Sequence, residues 1–249
     1  MPCRLRACPV SIPALPRFFR SALPTAAVVV SLAGPATSEQ LWSVHAFGVK
    51  VGELRVKMQE TGSTYQGAGK FETTGLVGIV ASIRFDAASN GRIGPDGYVP
   101  SRYEGHINTG KRVSETELLF SGGTPKEVSG KQDPAVPIQP TDLAGALDPM
   151  TLMWMTLRDL PAPPACTQDE KQFDGTRLAR LRLTERIEDG AEITCAGSYD
   201  RLGGYTSEEL AEMSRSPTSV TYRLEDGTWR ASKVRLSSRH GPATLVRRR

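Results

Sequence analysis

The feature that most constrains this chain is an apolar–polar alternation of period two that recurs along much of its length. Leu54, Val56 and Met58 alternate with Arg55, Lys57 and Gln59. Ala179, Leu181, Leu183 and Ile187 oppose Arg180, Arg182 and Arg186, and Val220, Tyr222 and Leu224 repeat the pattern. Successive side chains of a strand point to opposite faces, so this period describes strands with one face on a core and the other in water. The same reading predicts strands at Thr64–Glu72, Gly78–Ser89, Tyr98–Asn108 and Arg112–Phe120. The glycines between Phe47 and Glu53 predict a turn or bulge.

Four Asx-Gly pairs, Asn90-Gly91, Asp96-Gly97, Asp189-Gly190 and Asp226-Gly227, are expected at hairpin turns, whose central residues need positive φ. Two of them join clear strand pairs. The strand through Leu181 returns as Ile193–Tyr199, and the strand through Tyr222 returns as Trp229–Ser237. The fold class that follows is mainly β. It is a large curved antiparallel sheet, either an open barrel or half-barrel or a sandwich, with one principal helix on its concave side. A composition with 24 glycines, 18 prolines and 39% hydrophobic residues suits a turn-rich sheet better than a helical bundle.

That helix is legible in the middle of the chain. Lys126 to Pro140 is proline-rich and reads as an extended connection. Asp148 then stands as an N-cap before Pro149 at the first helical position. Met150, Met153, Trp154 and Leu157 recur at i, i+3, i+4 and i+7, and Leu152, Met155 and Leu160 widen the stripe before Pro161-Ala162-Pro163-Pro164 ends it. Arg158 falls in the last turn, where it suits the helix dipole. A second, shorter helix is expected at Ser207–Met213, capped by Ser207.

Residues 1–36 have the three parts of a secretory signal: the arginines 4, 6, 17 and 20, an apolar run from Ala22 to Ala33, and the small residues Gly34-Pro35-Ala36. Cleavage is expected after Ala36, leaving residues 37–249 as a single domain in the periplasm. Leu32-Ala33-Gly34 is followed by Pro35 and not by cysteine, so the chain is not expected to be a lipoprotein. The apolar run is far short of the roughly 20 residues that span a bilayer, so no transmembrane segment is expected. The four arginines of the signal account for the whole excess of 31 basic over 27 acidic residues, so charge gives no case for nucleic acid. Arg247-Arg248-Arg249 reads as a frayed basic tail.

Two cysteines remain beyond the signal, Cys166 and Cys195. In an oxidising compartment they read as a disulfide. A metal or redox pair would need CxxC spacing or neighbouring histidines, and His45, His106 and His240 are scattered. The sequence contains no G-x-S-x-G, P-loop or G-x-G-x-x-G signature. No catalytic residue, cofactor or metal is therefore assigned. Met150, Met153, Trp154 and Leu157 form either a soft surface for an apolar ligand or partner, or one buried against the sheet.

With these pieces in place the chain resembles the DUF3108 family, exported bacterial proteins of unknown function. The resemblance rests on FGVKVGEL, TTGLVG, GYVPSRYEG, DPMTLMWMTLR, FDGTRLARLRL, GSYDRLGGY and VTYRLEDGTWRASKVRL, together with Cys166 and Cys195. It runs from Trp42 to about Leu245 and implies an envelope location and a β-rich fold, without a reaction. The expected function is non-enzymatic binding of an apolar or amphiphilic envelope component, such as a lipid, or of an envelope protein. One alternative is a hydrolase of an envelope polymer, using carboxylates such as Glu104, Asp148 or Glu185. The other is a structural or outer-membrane-associated β protein.

Overall fold

In the strand Val49–Thr61 (β2), Leu54, Val56 and Met58 are buried while Arg55 and Lys57 are exposed, as the alternation requires. The computed structural model describes residues 36–74, 83–95, 97–108, 113–130, 134–238 and 241–248. Its other strands are β1 (Ala36–Ala46), β3 (Thr64–Thr73), β4 (Arg84–Gly94), β5 (Gly97–Asn108), β6 (Val113–Ser121) and β7 (Thr124–Gly130). The second half of the chain adds β8 (Gln168–Phe173), β9 (Leu178–Asp189), β10 (Glu192–Gly203), β11 (Arg215–Glu225), β12 (Thr228–Ser238) and β13 (Gly241–Arg247). Two α-helices are described, α1 (Pro149–Leu157) and α2 (Ser207–Glu212), with a 3-10 turn at Pro140–Leu143.

All 13 strands lie in one antiparallel sheet, in the order β7-β6-β5-β4-β3-β2-β1-β13-β12-β11-β10-β9-β8. Two meanders, β1–β7 and β8–β13, are thus joined in mid-sheet by pairing of β1 with β13. A single sheet excludes the sandwich. The connection from β7 to β8 carries α1 from one sheet edge to the other.

That helix shows how far the sheet is rolled. It is only about 14 Å long. The hydroxyl of Tyr65 on β3 meets Thr151 Oγ1 at 2.7 Å, and Gln40 Nε2 on β1 donates to Leu157 O at 2.9 Å. Trp154 Nε1 donates to Tyr98 Oη on β5 at 3.1 Å, Tyr222 Oη on β11 to Thr156 O at 2.7 Å, and Gln168 Nε2 on β8 to Thr156 Oγ1 at 3.0 Å. In a flat sheet β5 and β8 would lie roughly 48 Å apart, ten strand spacings. Only a sheet curled nearly into a barrel lets one short helix touch both. The edges are bridged through the approach to α1: Gly145 N donates to Gly123 O at 3.0 Å beyond β6, and Leu147 pairs with β8 through its bonds to Lys171 O and from Phe173 N, both 2.9 Å. The helix is the plug, with Met150, Thr151, Leu152, Trp154, Thr156 and Leu157 buried. Gly69 on β3 makes room for it, since a Cβ there would stand 2.8 Å from Met153 Cε and 2.9 Å from Met150 Sδ.

Several local expectations change. Asn90-Gly91 lies inside β4, at a register shift opposite β5, because a Cβ at Gly91 would collide with the Val99 carbonyl; the glycine serves close approach, not a turn. Asp226-Gly227 does turn a hairpin, at φ 49 and 76, and Gly190 turns the β9–β10 hairpin at φ 57. Asp96 lies outside the described residues, as do the signal segment to residue 35, residues 78–82 of the expected Gly78–Ser89 strand, and His240. The helix α1 stops at Leu157, and Arg158 is its extended C-cap (φ −62, ψ 152). The cap of α2 is Thr206, in a capping box with Glu209, one residue before the expected Ser207. Part of the proline-rich connection is the edge strand β7. Arg247 is no frayed tail: it ends β13 and pairs with Asp159, while Arg248 Nη1 reaches Glu53 at 2.7 Å.

The β9–β10 ladder contains a bulge between Ala196 and Gly197. A Cβ at Gly197 would overlap the Arg182 carbonyl oxygen, a backbone atom that cannot rotate away. Gly197→Ala is therefore expected to destabilise the fold by about 2 kcal/mol or more. Chemical denaturation should show a lower midpoint at unchanged slope.

Candidate functional site

Where α1 ends, the chain turns extended and Leu160 pairs with Trp229 through two backbone bonds of 2.8 and 2.9 Å. This departure lifts Arg158 off the helix surface. It lines a cavity of about 350 Å³ inside the mouth of the rolled sheet, with Tyr98, Met155, Leu160, Leu183 and Tyr222 as its apolar lining and Gln168 and Glu170 as polar neighbours. A smaller cavity of about 180 Å³, lined by Met58, Glu60 and Trp154 among others, shares Arg158.

The wall on one side is the cystine. Cys166 and Cys195 are joined, S–S 1.95 Å, and both are buried. The bond staples the proline-rich strap 159–167 to β10. Arg186, on β9, donates to the Pro164 carbonyl and holds the middle of the same strap.

Burial governs the electrostatics here. The Tyr98 phenol is pushed up to about 12, first by burial and then by donating to the Glu60 carboxylate at 2.5 Å. Burial likewise pushes Tyr222 up to about 12, the Arg158 charge opposing it. The Glu170 carboxyl is held above its usual range by burial and by the neighbouring charge of Asp169. The guanidinium of Arg158 lies 5.8 Å from the centre of the Tyr98 ring, a cation–π distance.

The residues singled out from sequence are placed differently. Met150, Trp154 and Leu157 are core, exposed by 0%, 5% and 3%, and Met153 is half-buried over Gly69. Their stripe packs into the sheet, the second of the two readings of that pattern, while Met155 and Arg158 face the cavity. Asp148 is fully buried as the cap of α1, accepting from Thr151 N at 2.8 Å and from Ser89 Oγ at 2.9 Å. Glu104 and Glu185 lie exposed on β5 and β9. Arg158, Tyr98, Glu170 and Tyr222 come together from α1, β5, β8 and β11, which no local pattern joins. The one available signal is that the apolar stripe is interrupted at Arg158, just before the prolines.

A shallower groove of about 610 Å³ crosses the outer face of β2–β6 over Ala68 and Ala88. Its carboxylates have partners: Glu104 and Glu117 pair with Arg102, both 2.7 Å, Asp86 pairs with Arg84 at 2.5 Å, and Glu115 lies 3.4 Å from His106 Nδ1. Among the described residues no group of three or more His, Cys, Asp or Glu side chains is placed to hold a metal ion. No helix of the described residues is long and apolar enough to cross a membrane.

These features define a barrel-like antiparallel β protein, plugged by a helix and hollow at its mouth. The chain belongs to the DUF3108 family, described as a protein of unknown function, whose family model matches residues 41–200. Among solved structures it is similar to a β-barrel-like protein of the domain of unknown function DUF1849 from Brucella abortus, 10% identical, covering 86% of this chain and 94% of that one with a TM-score of 0.33. None of the curated proteins matches the chain.

Proposed function

We propose that this is an exported periplasmic protein that holds an apolar or amphiphilic component of the cell envelope, without chemical turnover. The observation that carries the reading is the cavity at the mouth of the sheet, walled by Tyr98, Met155, Leu160, Leu183 and Tyr222 and held open by a stapled strap. Concave, mostly apolar cavities with a few placed polar groups are the usual form of small-molecule sites. The disulfide supports export, since such bonds persist in oxidising compartments. Hydrolysis by paired carboxylates finds little support: Asp148 is sealed in the core, and Glu104 is bound to Arg102. A lipid-embedded barrel is opposed by the charges on the outer sheet face, such as Arg55–Glu39, Arg180–Asp169 and Arg223–Glu192, where an apolar band would be needed.

Native mass spectrometry of protein taken from the periplasmic fraction tests the reading. The expected native spectrum carries extra mass of lipid size. The denatured mass should correspond to a chain beginning at Thr37 with two hydrogens fewer than the reduced form. A clean native spectrum, together with no change in an apolar fluorescent probe, would remove the binding role. Recovery with residues 1–36 attached would remove the cleavage.

A further inference from the structure

We infer that Arg158 is the anion anchor of the mouth cavity, and that the molecule held there carries one acidic headgroup, a carboxylate or phosphate monoester, on an apolar tail. This rests on the binding role proposed above and specifies its ligand. Many of the arginines on the sheet are held by carboxylates, among them Arg177 by Glu209, Arg182 and Arg215 by Asp200, and Arg102 by Glu104 and Glu117. Among the described residues no carboxylate pairs with Arg158, although it is half-buried and lines two cavities.

The acids nearby form no ion pair with Arg158. Asp159, its sequence neighbour, is taken up by Arg247 and by Arg230 at 4.0 Å. Glu60 accepts from Tyr98 at 2.5 Å and from Trp154 at 3.2 Å. Glu170 shares the cavity without forming an ion pair to Arg158, and burial inclines its carboxyl toward the uncharged form. What remains is a guanidinium resting on the Tyr98 ring, its donors unspent, at the edge of a partly apolar chamber. A planar fork of N–H donors matches the two oxygens of a carboxylate or phosphate. A half-buried guanidinium without a counter-ion leaves charge-assisted hydrogen bonds to be made, and a ligand anion arriving there would make them. Met155, Leu160, Leu183 and the ring of Tyr222, whose hydroxyl donates to Thr156 O, suit a hydrocarbon tail.

The test uses the mature protein stripped of bound lipid and four probes: a fluorescent polyene fatty acid, the primary alcohol and the monophosphate ester with the same chain, and inorganic phosphate. Acid or phosphate ester should bind at least about tenfold more tightly than the alcohol, the return expected for hydrogen bonds to a charged group. Arg158→Met should reduce both to the level of the alcohol and leave the alcohol unchanged, which also shows that the variant is folded. Arg158→Lys should restore part of the preference. Whichever of the two anionic probes binds more tightly names the headgroup. Equal binding of acid and alcohol, or a preference that survives Arg158→Met, would overturn the anchor while leaving the cavity a binding site. Inorganic phosphate binding as tightly as the acid would overturn it in favour of a small anion. If no tailed probe binds at all, the cavity reading falls first and the anchor with it.

Discussion

Replacing Cys166 and Cys195 together by serine is expected to cost about 3.6 kcal/mol, because the crosslink spans 29 residues and its loss frees that loop in the unfolded chain. For a domain of this size the melting temperature should drop by roughly 7–14 °C. One opposing effect reduces the figure. Cys166 is held at φ 53, a left-handed conformation that costs a non-glycine residue about 1–2 kcal/mol, and an uncrosslinked strap can relax out of it. The loss should thus lie between about 2 and 3.6 kcal/mol. Because the effect acts partly on the unfolded ensemble, the denaturant slope should rise as the midpoint falls. Wild-type protein unfolded in strong reductant should coincide with the double serine variant. A reductant without effect would mean the two thiols are unbonded in the protein. Cutting the staple also loosens the strap over the cavity, so the binding proposed for that cavity should weaken even where the sheet stays folded.

The second large effect is expected at Asp148. Its carboxylate caps α1 through Thr151 N, accepts from Thr151 Oγ1 at 2.6 Å, and ties the helix to β4 through Ser89 Oγ at 2.9 Å. Asp148→Ala removes a cap and leaves buried donors short of an acceptor, a loss of about 3 kcal/mol. The loss stops there because Thr151 and Ser89 hydroxyls still meet at 3.1 Å and Tyr65 still meets Thr151. Asp148→Asn keeps the shape and the cap oxygen, and should cost about 1 kcal/mol. The pH dependence separates the two. Burial raises the Asp148 carboxyl above its usual range, against the pull of the Thr151 and Ser89 hydrogen bonds. A group raised on folding contributes stability that is complete below its unfolded pKa and is lost as pH rises through its folded pKa. The deficit of Asp148→Asn, measured by denaturant unfolding, should accordingly be largest in acid and shrink as pH rises past the ordinary carboxylate range. A deficit that grows with pH would mean the carboxylate, not the acid, is the favoured form in the core.

Much of the wall of this fold is legible in the sequence. The alternation through Leu54, Val56 and Met58 reappears as a buried row, and Asp226-Gly227 turns the hairpin it announces. Asp148-Pro149 opens the helix, and Cys166 is bonded to Cys195. Each of these is decided within a few residues, or by Cys166 and Cys195 being the two cysteines of the chain beyond residue 36. The misses share a cause of the opposite kind. The strand β8, Gln168–Phe173, is almost entirely polar, and only its partners, β9 and Leu147, hold it extended. Asn90-Gly91 has the chemistry of a turn, yet the approach of Val99 keeps it in β4. Ile187 continues the apolar face of β9 but is 48% exposed, because the strand runs on past the core. In the same way Arg247 has no local reason to be ordered until Asp159 is brought to it.

What the sequence by itself determined is therefore the period, the principal helix and its cap, two hairpins and the cystine. The rolling of thirteen strands around that helix, the pairing of β1 with β13, and the meeting of Arg158 with Tyr98, Glu170 and Tyr222 were left to the tertiary structure. The physical reason is range. Side-chain alternation and turn preference are set by sterics and solvent within a few bonds, whereas curvature and the convergence of a site are set by which distant surfaces can be buried together.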